Sequence, residues 1–502
     1  MNSPAEKQPD KMTKLKTYFK QKCMFAPLVD ADPRLLPPRV KTGIVACVAL
    51  VACTAGFAST IYFPGLPYVT KELHAQPMAT TLTAALFVLF LGIAPVVWAS
   101  ISEHFQVRRS LFLIAMVIFT VTSIGAAYVH NIWALVVVRC IQSVGVACGQ
   151  SLGAGYIADL YPVEERGAAF GKYMFGAILG PVSGPIVGGF LIMSPLGWRA
   201  TFWFCFALGI FIFLITFFFT PETFRVDAKF DIELPVVNNE RLNFAASTKE
   251  TLNSSEMSIT TTITDDKSFA TIEDKNQVKK RFSPFTAFFL LRHPFIFLAS
   301  VVAALFFAAM FATEAILPDA FKEVYGLSSW QTGLCYLGAG IGNLSGAVLG
   351  SRVSDRLLIR SRRLRGGAHK AEDRLTANIW IAGFIFGPLG NLLFGWVVEH
   401  RLSLWGAIIA FGIQCFGTVQ VVTVVTAYLV DALPGRGASA TAAATFIRYG
   451  ISCILSLIST PMIATLGAGW TCTLFACLSW LGMLIALILK LWGDRLRAWS
   501  GF

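Results

Sequence analysis

The chain has 502 residues, of which 55% are hydrophobic and 14% are charged, and it carries a formal net charge of +12. Its apolar residues come in runs of about 20, the length that an α-helix needs to cross the core of a bilayer. Basic residues lie between these runs, so the positive charge indicates membrane topology and not binding to nucleic acid. The sequence contains no nucleophile elbow, phosphate loop or metal-ligand spacing, so we expect no enzyme, no metal and no cofactor. The 11 cysteines form no Cys-x-x-Cys pair and are interpreted as small buried hydrophobes.

Twelve apolar runs are predicted to be membrane-spanning helices. They follow a basic tail, residues 1–40, which either rests on an anionic membrane surface or is disordered. A polar, Ser/Thr-rich stretch, 221–290, is predicted to be a flexible loop between the first six spans and the last six. We therefore expect six-helix bundles at 41–220 and 291–492, followed by a C-terminal tail at 493–502. The predicted spans are 43–63, 79–100, 111–129, 132–156, 170–192, 200–220, 295–317, 330–350, 376–398, 403–430, 438–464 and 470–490.

The loops on one side of the predicted bundle carry most of the basic residues. Arg108 and Arg109 follow the second span, and a basic run from Arg352 to Arg374 follows the eighth. By the positive-inside rule that side is the cytoplasm, together with both termini and the central loop. We expect a multi-pass protein of the plasma membrane.

The two predicted bundles repeat one another. Leu66-Pro67 follows the first span and Leu317-Pro318 the seventh; the next helices end in Ser102-Glu103 and Ser354-Asp355. Same-order repeats of six spans imply two similar bundles that face one another across a cavity. The predicted fold is therefore all-α, with 12 transmembrane helices around a central cavity.

Small residues recur at regular steps in the fifth span. At about 3.6 residues per turn, Gly176, Gly180, Gly184 and Gly188 make one stripe without side chains, which lets another helix approach closely. Pro181 and Pro185 each remove a backbone donor, so this helix should bend. The alternative is a plain glycine-rich packing helix. With Gly189, these glycines and prolines resemble the antiporter signature of the major facilitator superfamily.

Further motifs resemble one family of fungal transporters. Arg139-Cys-Ile-Gln142-Ser-Val-Gly145 and Gly153 to Gly167 are similar to the fourth-helix region of the 12-span drug:proton antiporters, as is Pro221-Glu222-Thr223. Pro434-Gly-Arg436, leading into Phe446-Ile-Arg448, points to the branch that exports drugs, weak organic acids, amino acids or polyamines. Similar sequences export dicarboxylic acids such as itaconate. The resemblance implies a monomer in the lipid bilayer that moves a small-molecule substrate and protons.

The loop after the second span departs from the family's Gly-x-x-x-Asp-Arg-x-Gly-Arg-Arg pattern. Glu103 replaces the aspartate, while Arg108 is retained, so the charge pattern of a latch to a neighbouring helix end persists. Asp355 and Arg356 are the matching pair after the eighth span. We expect these four residues to form a cytoplasmic latch.

Three charged side chains fall inside predicted spans, where ionisable groups are costly and usually functional. Arg139 lies in the fourth span and Arg448 in the eleventh; each either binds carbonyls and carboxylates of the protein or receives a substrate carboxylate. The resemblance gives Arg139 and Gln142 a coupling role. Glu314, in the seventh span, either carries the coupling proton or lies in water at the mouth.

The leading hypothesis is proton-coupled export of small organic compounds, with organic-acid anions favoured because two arginines and few acids lie in the spans. The alternative is a broad-specificity multidrug:proton antiporter, which the aromatic richness would suit. A receptor or scaffold would need an enlarged terminal domain.

Overall fold

A computed structural model describes residues 32–225, 286–364, 371–375, 377–433 and 437–500. Residues 1–224 and 283–502 form one compact unit, and residues 225–282 form a second that lies outside the described residues apart from Arg225. The predictions for the tail before residue 32 and for most of the central loop therefore stay predictions. The described residues contain helices and no β-strand, which confirms the all-α fold.

The N-terminal half, α1 to α6, comprises six apolar helices. Prolines at the first helical position begin α1 and α2, where their missing N–H has no intrahelical partner to lose. A short connector, Leu66–Glu72, follows α1. The helices are α1 Pro38–Thr60, α2 Pro77–Phe105, α3 Arg109–Tyr128, α4 Ile132–Leu160, α5 Val163–Ile192 and α6 Arg199–Phe219.

The C-terminal half, α7 to α12, repeats this order with two interruptions. The eighth helix is broken at Tyr336, and the ninth contains a π-helical turn at Ala382–Phe386. Gly326, at φ +64°, ends α7 in the left-handed conformation that favours glycine. The helices are α7 Pro294–Tyr325, α8 Ser329–Cys335 with Leu337–Leu364, α9 Ala377–Ile381 to Gly387–Glu399, α10 Leu404–Ala432, and α11 and α12, the two arms of Gly437–Trp499.

The boundary between α11 and α12 is the single residue Gly467. Eleven apolar helices are long enough to cross a membrane among the described residues, and the last of them, Ser439–Trp499, has 61 residues. Such a helix would be about 90 Å long if straight, roughly three bilayer cores. Gly467, at φ +82°, divides it into two crossings, and Glu399 accepts hydrogen bonds from the N–H groups of Ala468 and Gly469 at the start of α12. The described residues thus form twelve apolar helices that can cross the membrane, the number predicted.

Helix packing follows a two-fold pattern. Within the halves, α1 packs on α5, α2 on α4 and α3 on α6; α7 packs on α11, α8 on α10 and α9 on α12. Between the halves, α2 packs on α11 and α5 on α8. Exchanging the halves exchanges these two contacts, so the interface is pseudo-symmetric. The membrane side on which the chain enters α1 and leaves α12 is named the terminal side, and the other the opposite side.

Candidate functional site

The guanidinium of Arg139 is enclosed within the N-terminal half. Its Nη1 donates to the carbonyl oxygen of Ala58 in α1 at 3.0 Å and to Oε1 of Gln142 at 2.9 Å. The ring of Phe87, in α2, lies 4.1 Å from the guanidinium carbon, and the rings of Tyr62 and Phe202 lie within 6 Å. Cation–π attraction of about 2 kcal/mol in such a dry setting, together with these hydrogen bonds, holds α1, α2, α4 and α6 together. Arg139 is therefore enclosed by protein and not open to the space between the halves.

Gln142 has a counterpart in the C-terminal half. Ile141-Gln142-x-x-Gly145 recurs as Ile413-Gln414-x-x-Gly417, a repeat that our sequence analysis missed although it is readable. Both glutamines are fully buried: Gln142 Nε2 donates to Ser123 at 2.8 Å, and Gln414 Nε2 donates to Thr313 at 3.3 Å. In this alignment, Phe411 takes the place of Arg139.

Glu314 is buried in the second half of α7. Its side chain makes no hydrogen bond or ion pair with any described residue, and only its backbone carbonyl accepts a hydrogen bond, from Tyr336. Phe307, Phe311 and Glu314 share one face of α7, because residues spaced four and three apart lie above one another. Phe311 meets Phe63 of the other half, with ring centroids 5.6 Å apart. This face of α7 therefore lies at the interface between the halves.

Arg448, in α11, lies over the same face of α7. Its guanidinium carbon is 5.1 Å from the ring of Phe307 and 5.2 Å from that of Tyr449, and the side chain is partly buried. Its Nε is buried without a hydrogen-bond partner. Phe307 and Glu314 are about 10 Å apart along the helix axis, so the cation and the acid mark two ends of one stripe.

The glycine stripe of α5 packs against α1. A Cβ on Gly176 would meet Ala49, one on Gly180 the carbonyl of Cys53, one on Gly184 Thr60, and one on Gly188 the carbonyl of Ile61. From Gly176 to Gly188, twelve residues of α5 run beside the twelve residues from Ala49 to Ile61, so the two backbones approach closely along this length. Gly189 faces the backbone of Ser329 and the carbonyl of Pro185 faces Gly333, both in α8. The helix runs unbroken through Pro181 and Pro185.

The two halves meet tightly on the opposite side. Ser329 donates a hydrogen bond to the carbonyl oxygen of Gly189, and the hydroxyl oxygens of Thr81 and Thr460 are 3.1 Å apart. The rings of Phe190 and Trp330 stack across the same interface, and Lys322 lies 4.2 Å from the ring of Tyr68. These contacts join α5 to α8, α2 to α11 and the end of α7 to the connector after α1.

On the terminal side, each half contains an ion pair between two of its own residues. Arg108 forms an ion pair with Asp159 at the end of α4, and the pair Arg374–Asp431, 3.6 Å, is its counterpart in the C-terminal half. Glu103 is exposed and pairs with no described residue. Of the other predicted latch residues, Arg356 is exposed and the side chain of Asp355 lies outside the described residues.

Glu222 anchors the junction between α6 and α3. Its carboxylate accepts hydrogen bonds from the backbone N–H groups of Arg108, Arg109, Thr223 and Phe224. Burial raises the pKa of this carboxyl above its usual value, and the four N–H groups oppose that shift. The carboxylate therefore caps the start of α3, where the helix dipole favours negative charge.

The chain matches the sequence profile of the Major Facilitator Superfamily over residues 48–457. It belongs to that superfamily. Among its relatives, the MFS antiporter QDR3 of Candida albicans is 27% identical, with 93% of this chain and 80% of the relative covered. The efflux pump radE of Floropilus chiversii is 28% identical, with coverages of 94% and 84%. The MFS-type transporter phiD of a fungal species is 28% identical, with coverages of 90% and 68%.

Two solved structures share the fold. A D-xylose–proton symporter superposes with a TM-score of 0.62 at 16% identity, covering 89% of this chain and 97% of the symporter. A bacterial homologue of the human lysosomal transporter Spinster, in an inward-facing conformation, gives 0.57 at 15% identity, with coverages of 92% and 97%. The chain is therefore a transporter of the major facilitator fold, a family whose members move small molecules, often with protons.

Proposed function

We propose that this transporter exports small organic anions in exchange for protons. The observation that carries the proposal is Arg448, whose guanidinium lies at the interface between the halves without an acceptor among the described residues. A charge taken out of water without a partner costs free energy. A cargo carboxylate would satisfy this guanidinium with two parallel hydrogen bonds.

The two arginines have different roles in this proposal. Arg139 has a carbonyl, an amide oxygen and three rings around it, although its Nε and Nη2 are buried without a hydrogen-bond partner. Because its side chain is fully enclosed by protein, whereas Arg448 is only partly buried, we assign Arg139 to coupling of helices and not to contact with cargo. Arg448 is the cargo-binding residue. The rings of Phe307 and Tyr449 beside it add an apolar wall for the carbon skeleton of the anion.

Glu314 is the candidate proton carrier. Because it is buried and forms no ion pair with a described residue, its carboxyl would exchange a proton when water reaches that part of α7. Proton exchange is therefore tied to the opening of the interface, which is the requirement for coupling. Glu314 lies on the face of α7 that Arg448 of α11 contacts at Phe307, so in this proposal cargo and proton act beside the same helix.

The proposed direction of transport rests on the positions of the basic residues and on the contacts between the halves. Basic loops on the terminal side support a cytoplasmic location for that side, and the contacts on the opposite side support a state closed to the exterior. In that state the site takes cargo from the cytoplasm.

A multidrug antiporter is the alternative cargo class. The aromatic rings around Arg448 would hold a flat apolar drug, and two relatives are named as an antiporter and an efflux pump.

Export assays with Arg448 variants separate the two. Arg448→Lys keeps the charge but loses the planar fork, so export of radiolabelled mono- and dicarboxylates should fall about tenfold, the loss of one charge-assisted hydrogen bond. Arg448→Ala should lower acid export further, while a neutral drug is less affected. Arg495→Ala, an exposed arginine at the end of α12, is the matched control. Wild-type efflux of drugs without efflux of acids would replace the anion proposal by the multidrug alternative.

A further inference from the structure

A groove of about 890 Å³ runs along the outer surface of the C-terminal half, where α8 and α10 meet. It lies away from Arg448 and Glu314 and so is not accounted for by the transport site. Three of its lining side chains are largely exposed to the membrane: Ile341 at 68%, Trp405 at 71% and Ile409 at 59%. Phe386 of α9 lines it as well.

Glycines bring α8 and α10 into close backbone contact along the groove. A Cβ on Gly338 would lie 2.6 Å from the carbonyl oxygen of Ile408, and one on Gly342 would collide with Gly412. The floor is therefore bare backbone where α8 and α10 touch, and the flanking isoleucines and leucines form its walls.

The matching positions of the N-terminal half carry large side chains instead of glycine. Aligning Glu103 with Asp355 places Leu86 and Phe90 of α2 where α8 has Gly338 and Gly342. A hollow of about 420 Å³ lies at the beginning of α2 near Trp133. The glycine floor is thus a property of the C-terminal half and is not repeated at the matching positions of α2.

The groove has the length of one lipid leaflet. From Trp405 to Phe416 it follows α10 for about 16 Å, at 1.5 Å per residue. Half of a hydrocarbon core is about 15 Å. The groove begins at the opposite-side surface, near Gln331 and Trp405, and ends near the middle of the membrane. The groove therefore faces the lipids of that leaflet.

The lining residues favour one class of lipid. No charged side chain lines the groove, and the hydroxyl of Ser345 is used by a hydrogen bond to the carbonyl of Ile341. At the surface end, Gln331 Oε1 accepts from Ser328, but neither Gln331 Nε2 nor Trp405 Nε1 donates to a described residue. A phosphate headgroup would need a cation, whereas a single uncharged hydroxyl can accept from these two N–H groups.

We propose that this groove, named the α8–α10 groove, binds a sterol, with its hydroxyl at Gln331 and Trp405 and its ring system on the glycine floor. A rigid ring system loses little conformational entropy on binding, unlike a flexible acyl chain. The flat backbone floor between branched side chains matches the flat shape of a sterol ring system.

Photolabelling tests the proposal. The purified full-length protein is placed in lipid nanodiscs with a diazirine-bearing sterol, irradiated, and the adducts are located by mass spectrometry. Labels should concentrate in residues 331–345 and 404–416 and be displaced by unlabelled sterol. Leu337→Trp with Ile409→Trp fills the groove and should lower labelling there about tenfold, equivalent to about 1.4 kcal/mol. Ile454→Trp, at a comparably exposed position on α11, should leave it unchanged.

Two milder variants keep the test independent of folding. Trp405→Phe removes one N–H donor from an exposed ring, and Gln331→Glu keeps the acceptor for Ser328 while removing the amide donors. Each should reduce the sterol-displaceable labelling of the groove several-fold. Labels spread evenly over all membrane-facing helices would overturn the proposal. So would labelling of the groove by a diazirine phosphatidylcholine that unlabelled sterol does not displace.

Discussion

Glu314 lies on one face of α7 and Arg448 of α11 lies over Phe307, about 10 Å away from Glu314 along that face, and neither forms an ion pair with a described residue. Because they do not neutralise one another, each remains available for a ligand. In the proposed function, a proton satisfies the first and an anion the second. At the scale of single residues, this separation is what allows two ligands to act on one helix.

Glu314→Gln tests the proton at this scale. The amide has nearly the shape of the protonated carboxyl but cannot release a proton, so accumulation driven by a pH gradient in proteoliposomes should disappear. Exchange of labelled for unlabelled cargo should persist, because it needs no proton. Glu323→Gln, an exposed acid on the same helix, is the control. Undiminished pH-driven accumulation in Glu314→Gln would assign the proton to another group.

Sequence reasoning located these side chains in spans but did not give their surroundings. Hydropathy shows that Arg139 and Arg448 both lie in apolar runs, and it cannot show that only the first is surrounded by Tyr62, Phe87 and Phe202. These rings come from three other helices, so their proximity depends on packing. The Gln142–Gln414 repeat, by contrast, was present in the sequence and would have revealed the pseudo-symmetric pair.

At the scale of elements, the backbone of α5 contacts α1 of its own half and α8 of the other half. This helix is therefore placed to couple movements of the two halves. Gly180 and Gly184 face α1, while Gly189 faces α8. A helix without side chains on these faces can slide or tilt against both neighbours with little steric resistance. The fourth-residue spacing of the glycines was sufficient to predict this smooth face. The break of α8 at Tyr336 and the π-helical turn of α9 were not predictable, because runs of about 20 apolar residues look alike whether continuous or interrupted.

Gly180→Leu should abolish transport while the protein still reaches the membrane. Its side chain would enter the backbone of α1 at Cys53, and overpacking of this kind typically costs about 1–3 kcal/mol. Gly171→Leu, on the same helix with nothing within 4 Å of its Cβ, should transport normally. Transport by each variant is compared at equal surface expression. Normal transport by Gly180→Leu would contradict the close packing of α5 on α1.

At the scale of the whole molecule, transport requires the contacts of the opposite side to open while those of the terminal side form. Thr81 and Thr460 lie on the two halves and their hydroxyl oxygens are 3.1 Å apart. Both residues sit near the ends of their helices, where a small rotation of the halves separates them.

A disulfide between these positions should hold the transporter in one state. In the Thr81→Cys, Thr460→Cys double variant, mild oxidation should reduce transport by about tenfold or more, because one of the two required states is removed. A reductant should restore it. Each single variant, oxidised in the same way, controls for the native cysteines. A cross-linked protein that transports at the normal rate would show that this interface need not open.

Gly467 joins α11 directly to α12, so a movement of one helix should move the other. Because Glu399, at the end of α9, binds both N–H groups that begin α12, no slack chain separates the three helices at that end. A tilt of α12 is passed to α11 and displaces Arg448 in proportion to its distance from Gly467. Lateral pressure or a change in bilayer thickness, acting on the membrane-exposed α12, should therefore also act on Arg448, the residue proposed to bind the cargo.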